Sequence, residues 1–121
     1  MKYEWLDAYL LRKKGVRKDH QKDWNWDRYM IGGKLFAAVC YDDADRAVYI
    51  TMKLEPAEGD LLRRTFADIL PGYYMNHTHW NSVRADGAVE DTLLQRMLDS
   101  SYALVLGSFS RKKQAEILEG R

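Results

Sequence analysis

Apolar residues recur along this chain with two rhythms. Near the amino terminus Tyr3, Leu6 and Leu10 fall three and four apart, so they share one side of a helix. Glu4 and Asp7 come early, while Arg12, Lys13 and Lys14 come late, just before Gly15. That order suits the helix dipole and supplies a stop, which predicts a first helix over about residues 1–14. In "RAVYITMKL", Val48, Ile50, Met52 and Leu54 alternate with Tyr49, Thr51 and Lys53, the pattern of a half-buried antiparallel strand. Leu61, Leu62, Phe66 and Ile69 return to helical spacing, in a second helix opened by Glu55-Pro56 and closed by Pro71-Gly72. Val89, Leu93, Leu94, Met97, Leu98, Tyr102 and Val105 outline a long third helix ending near Gly107. Ser110 is placed to cap a short fourth, "RKKQAEILEG".

Between these lie further strands. "RYMI" and "KLFAAVCY" flank Gly32-Gly33, whose freedom at positive φ makes a tight hairpin turn, and Asp42–Asp45 makes another. "HWNSVRAD" reads as a later strand, preceded by a strand or extended segment at Tyr73–Asn76, whereas the polar "GVRKDHQKDWNW" reads as a loop. The predicted order is helix, three strands, helix, two strands, helix, helix. Strands joined by tight turns give an α+β fold, an antiparallel sheet of about five strands with helices packed on one side. No repeat, low-complexity tract or linker divides the chain, so residues 1–121 are expected to form one domain.

Composition narrows the function classes. Lys+Arg 19 against Asp+Glu 18 leaves a formal charge of +1, so a basic surface would need local clustering. Cys40 is the only cysteine, which excludes an internal disulfide and a multi-cysteine zinc cage. The start, "MKYEWLDAYLLRKKG", has charges throughout rather than an apolar signal core. No segment reaches the roughly 18 apolar residues of a membrane span. A cytoplasmic, bacterial-type setting is the expectation.

Catalytic and metal chemistry find little to work with. His77 and His79 are two apart and would point the same way on a strand, but a zinc ion needs a third ligand, and His20 lies far off in the sequence. No Gly-x-Ser-x-Gly elbow is present, and Cys40 sits in an apolar strand. Asp42, Asp43 and Asp45 are turn formers, and Gly32-Gly33 lacks the helix that follows a phosphate loop. No catalytic residue, metal or cofactor is expected. Basic residues do gather in "LRKKGVRK", at Arg63-Arg64 and in "RKKQ", each of which also suits a solvated helix end. In "PGYYMNHTHWN", rings could stack on bases and amides could meet base edges or phosphates. By alternation Trp80 is expected inward, with His79 and Asn81 outward.

"RYMIGGKLFAAV", "PGYYMNHTHWNSV" and "SYALVLGSFSRKKQAEIL" together resemble the MmcQ/YjbR family of small bacterial proteins, over nearly the whole chain and in the right order. The resemblance implies a curved antiparallel sheet against helices, related in shape to frataxin-like and double-wing DNA-binding domains. It also implies DNA binding, by analogy of fold. Its central motif falls on Tyr74, Asn76, His79, Trp80 and Asn81. This chain has His77 and Thr78 where members often carry lysine or arginine, which removes positive charge from a phosphate-facing position.

The expectation is therefore a non-enzymatic protein that binds double-stranded DNA through its sheet face and adjoining turns. Arg28, Lys34 and Arg84 would meet phosphates, and Asn76, His79 and Asn81 would make polar contacts. The alternative is a small-molecule or protein-partner module using the aromatic and histidine patch at Tyr73 to Asn81, with Tyr74, His77 and His79 lining it.

Overall fold

A computed structural model describes residues 1–72 and 75–120 of the chain. Its elements run α1 (Leu6–Leu11), β1 (Arg17–Gln21), β2 (Trp26–Ile31), β3 (Lys34–Tyr41), β4 (Ala47–Lys53), α2 (Pro56–Thr65), β5 (Ile69–Pro71), β6 (Trp80–Arg84), α3 (Asp91–Gly107) and α4 (Arg111–Leu118). The strands form one curved antiparallel sheet in the order β1-β2-β3-β4-β6-β5, an α+β fold with the helices on one face.

Gly32 (φ 55°) and Gly33 (φ 83°) join β2 to β3 in a two-residue turn, both in the region that side chains disfavour. Pairing then fixes which side chains face the helices. Ile50 and Met52 of β4 lie opposite Val39 and Ala37 of β3, and opposite Val83 and Asn81 of β6. Their side chains join Tyr3, Leu6, Leu10, Phe36, Leu94, Leu98 and Val105 in the main core. A fully buried leucine such as Leu94 contributes roughly 1.5–3 kcal/mol over an exposed one, so this seam dominates the fold's stability. Ser101 of α3 ties helix to sheet: its hydroxyl donates to Phe36 O at 2.6 Å and accepts from Lys53 N at 2.9 Å. Ser110 caps α4 as expected, accepting from Lys113 N at 3.2 Å.

Four expectations need correction. The sheet has six strands rather than about five, because "RKDHQ", read within a loop, pairs with β2 as β1. Helix α1 is shorter than residues 1–14, although Tyr3, Leu6 and Leu10 are all buried as its pattern requires. Helix α2 ends at Thr65, not at Pro71-Gly72, and Ile69 to Pro71 form strand β5 instead. Half of the stripe expected for α2 also fails: Leu62 packs against the core and Ile69 is buried, but Leu61 is 64% exposed and Phe66 37%. The helix lies on the sheet through Gly59, where an added Cβ would stand 2.9 Å from the Asn81 carboxamide. The strand or extended segment expected at Tyr73–Asn76 falls partly outside the described residues, and of the described part Met75 and Asn76 are not in a strand.

Candidate functional site

The sheet face away from the helices carries no helix among the described residues and is only partly open: Trp26, Ala38 and Cys40 form a small buried cluster on it, with Leu35, Tyr49 and Met75 packed against them. Alternation puts Trp26, Arg28 and Met30 of β2 there, with Leu35, Ala38 and Cys40 of β3, Tyr49 and Thr51 of β4, and Ser82 and Arg84 of β6. A buried polar row crosses it: Cys40 Sγ lies 3.7 Å from Thr51 Oγ1, which lies 3.0 Å from Ser82 Oγ. Burial pushes the Cys40 thiol up to about 11, so it stays protonated and unreactive near neutral pH. At the β1 side of this face is a concave space of about 690 Å³, walled by Trp24, Trp26, Met30, Leu35 and Met75 with Arg28 and Asp23 at its polar margin. Trp24 is 57% exposed, and its ring meets Trp26 edge to face at 5.4 Å.

The residues nominated from sequence do not assemble into one outward surface. Arg28 is on the open face, but its guanidinium donates twice to Asp19, at 2.8 and 2.6 Å. That pairing lowers the Asp19 carboxyl pKa and raises that of Arg28. Lys34 turns to the helix side, donating to Ser108 Oγ at 3.0 Å, with its ammonium 4.5 Å from the Phe109 ring centre. Arg84 stands 3.6 Å from Asp68. Asn76 and His77 are exposed, and the Asn76 carboxamide oxygen accepts from Thr78 N at 2.7 Å in a local turn. His79 and Trp80 are half-buried, and Tyr74 lies outside the described residues.

Asn81 is the clear reversal. It is 0% exposed, on the helix face, and its carboxamide takes a hydrogen bond from Arg63 and donates to His79 O at 3.2 Å. Trp80, expected inward, is on the opposite face. The register gives the reason: Asn81 shares parity with Val83 and Ala85, which are both buried, while Trp80 shares parity with Ser82 and exposed Arg84. That parity was the signal available in the sequence.

Two features were missed. The first is a polar network beneath the β1 edge. Lys18 Nζ and Tyr29 OH both donate to Asp7 Oδ1 at 2.7 Å, Tyr41 OH donates to Asp27 Oδ2 at 2.7 Å, and His20 Nδ1 lies 2.9 Å from Asp27 Oδ1. The Lys18 hydrogen bond holds the Asp7 carboxyl below its ordinary value, whereas desolvation drives both phenols up. Both tyrosines are thus permanent donors, and the network ties α1 to three strands. His20 has a carboxylate partner, but its ring is not among the walls of the neighbouring 320 Å³ hollow. Among the described residues no three His, Cys, Asp or Glu side chains are grouped to hold a metal ion.

The second is a charge concentration. "LRKKGVRK" and "RKKQ" lie almost a hundred positions apart, yet the fold brings them to one end of the sheet. An added Cβ at Gly15 would stand 2.7 Å from Ile117 of α4, and one at Gly32 would stand 3.1 Å from the same side chain. Tyr102 OH donates to Lys14 O at 2.6 Å. Lys13 is used by Asp99 and Lys18 by Asp7. Arg12, Lys14, Arg17, Arg111 and Lys112 are exposed and have no ion-pair partner among the described residues.

Comparison with known proteins places this architecture. The YjbR family model matches residues 11–104. The chain belongs to the YjbR family. It is 25% identical over 114 residues to the uncharacterized protein YjbR of Escherichia coli (strain K12), covering 94% of this chain and 95% of that protein. The uncharacterized protein YbdF of Escherichia coli O157:H7 is 28% identical over 95 residues, 78% of this chain and 76% of the relative. Among solved structures, Deinococcus radiodurans protein DR2400, a DUF419 domain, superposes with a TM-score of 0.82 at 24% identity, covering 93% of this chain and 84% of that one. A Pseudomonas syringae protein superposes with a TM-score of 0.73 at 22% identity, covering 86% and 98%. These likenesses establish the fold. No helix among the described residues is long and apolar enough to cross a membrane.

Proposed function

We propose that this YjbR-family chain is a non-enzymatic protein that binds double-stranded DNA, with its contact surface at the basic end rather than across the sheet face. One observation carries the reading: two basic runs distant in sequence converge around Ile117, leaving five exposed cations unpaired among the described residues. In a chain of net charge +1, such local excess is what phosphate attraction requires. The cations first nominated fit the role less well, because Arg28 and Arg84 face carboxylates and Lys34 covers a ring. With Asn81 buried, no row of amides is turned toward base edges. The binding is accordingly driven by phosphates and tolerant of sequence.

The test is fluorescence anisotropy with a short labelled duplex across a salt series. Five phosphate contacts predict a slope of log K against log salt of about −4 to −5. Reversing charge with R12E and K112E together should weaken binding equally for unrelated sequences, while R84Q should change it little. Absence of binding at micromolar protein in low salt, or affinity indifferent to salt, would end the reading.

A further inference from the structure

We infer that the concavity on the open sheet face is a separate binding site, for a small, flat, heteroaromatic molecule that is neutral or cationic. Its volume, about 690 Å³, falls within the range of small-ligand sites. Its walls are chosen for ring contact. Trp24 offers an indole that is 57% exposed although it sits in a turn, where it adds nothing to the main core. Trp26 meets it at an interplanar angle of 62° but is itself only 4% exposed, so it backs and orients the Trp24 indole, which supplies the accessible ring. Met30, Met75 and Leu35 complete the apolar surface, and the two thioethers adapt to ring edges.

Charge selects the occupant. Arg28 at the margin is neutralised and held in one orientation by Asp19, so it presents a guanidinium plane for stacking more than a free positive charge. Among the described lining residues, Asp23 carries the only charge with no ion-pair partner. A carboxylate or phosphate entering here would meet that negative charge, whereas a ring N–H or a protonated ring nitrogen would find an acceptor. The site therefore differs in sign from the basic end and is not a continuation of it.

Quinoline and quinoline-2-carboxylate serve as probes, titrated into ¹⁵N-labelled protein while the four indole N–H signals are followed. Quinoline should produce saturating shifts at Trp24 and Trp26 and leave Trp5 still. The carboxylate should bind several-fold more weakly, a gap that Asp23→Asn should narrow. Trp24→Ala, at an exposed turn position that the fold does not need, should weaken quinoline about ten-fold. Duplex binding should be unaffected by Trp24→Ala, and quinoline binding unaffected by the R12E and K112E pair. Shifts that do not saturate, that spread evenly over all four indoles, or that favour the carboxylate would overturn the assignment. Loss of both activities in either variant would show that the two sites are one.

Discussion

Replacing Ser101 by alanine removes a single oxygen atom, yet the geometry makes it a costly change. The hydroxyl is 0% exposed and serves two backbone groups on adjacent strands, donating to Phe36 O and accepting from Lys53 N. Each hydrogen bond contributes about 0.5–1.5 kcal/mol net, and a buried group left without a partner costs about 1–3 kcal/mol. The space vacated is smaller than a water molecule, so solvent cannot repair the loss. The expected destabilisation is about 2–4 kcal/mol, a large part of the 5–15 kcal/mol typical of a whole domain. Urea unfolding followed by tryptophan fluorescence reads this directly as a lower midpoint with an unchanged slope. Ser100→Ala, one position earlier in α3 and half-buried, is the control and should stay within about 0.5 kcal/mol. If Ser101→Ala also lost less than about 0.5 kcal/mol, or if the two variants lost the same amount, the hydroxyl would not be the tie described.

Three further outcomes follow from the same packing. Gly32→Ala should destabilise by about 2–4 kcal/mol in thermal melts, because its Cβ would meet the Phe109 ring at 2.7 Å as well as adopting positive φ; Gly33→Ala, facing open space, should lose only about 1 kcal/mol. The Asp7 carboxyl is held below its ordinary 3.8, so its contribution is fully present above about pH 4 and lost as pH falls further. Asp7→Asn should flatten the acid limb of a stability-against-pH curve measured between about pH 5 and 2. Cys40, with its thiol raised to about 11, should react with Ellman's reagent at pH 8 at least about a hundred times more slowly in the native protein than in urea.

Strong periodicity was legible, and weak periodicity was not. Helix α3 and strand β4 were readable because their apolar positions repeat at one period, and β3 because it is a continuous apolar run after a Gly-Gly turn; β6 was located, but Trp80 and Val83 are three apart and left its parity open to the wrong reading. Strand β1 has no apolar residue at all, so its extended form is imposed by hydrogen bonds from β2 and leaves no trace in composition. Helix α2 misled because Leu61 and Phe66 occupy core-like spacing but sit in solvent, while a glycine makes the close approach. The basic runs were visible individually, but their meeting depends on α4 folding back over the Gly15 turn, a long-range contact that no local pattern encodes. Arg28 illustrates the same limit: its charge was evident, and its neutralisation by Asp19 appears only once β1 is known to pair with β2.

The two rims of the sheet carry a final consequence. On one side runs Arg17-Lys18-Asp19-His20-Gln21, charged or polar at every position; on the other is a stub of three residues ending in Pro71. Neither invites another chain to extend the ladder, since the first would force charged side chains against the newcomer and the second is too short and lacks a donor at its end. Partners are thereby steered away from main-chain zippering and toward side-chain contact, and the protein should remain dispersed at concentrations where an apolar rim would seed fibrous stacking.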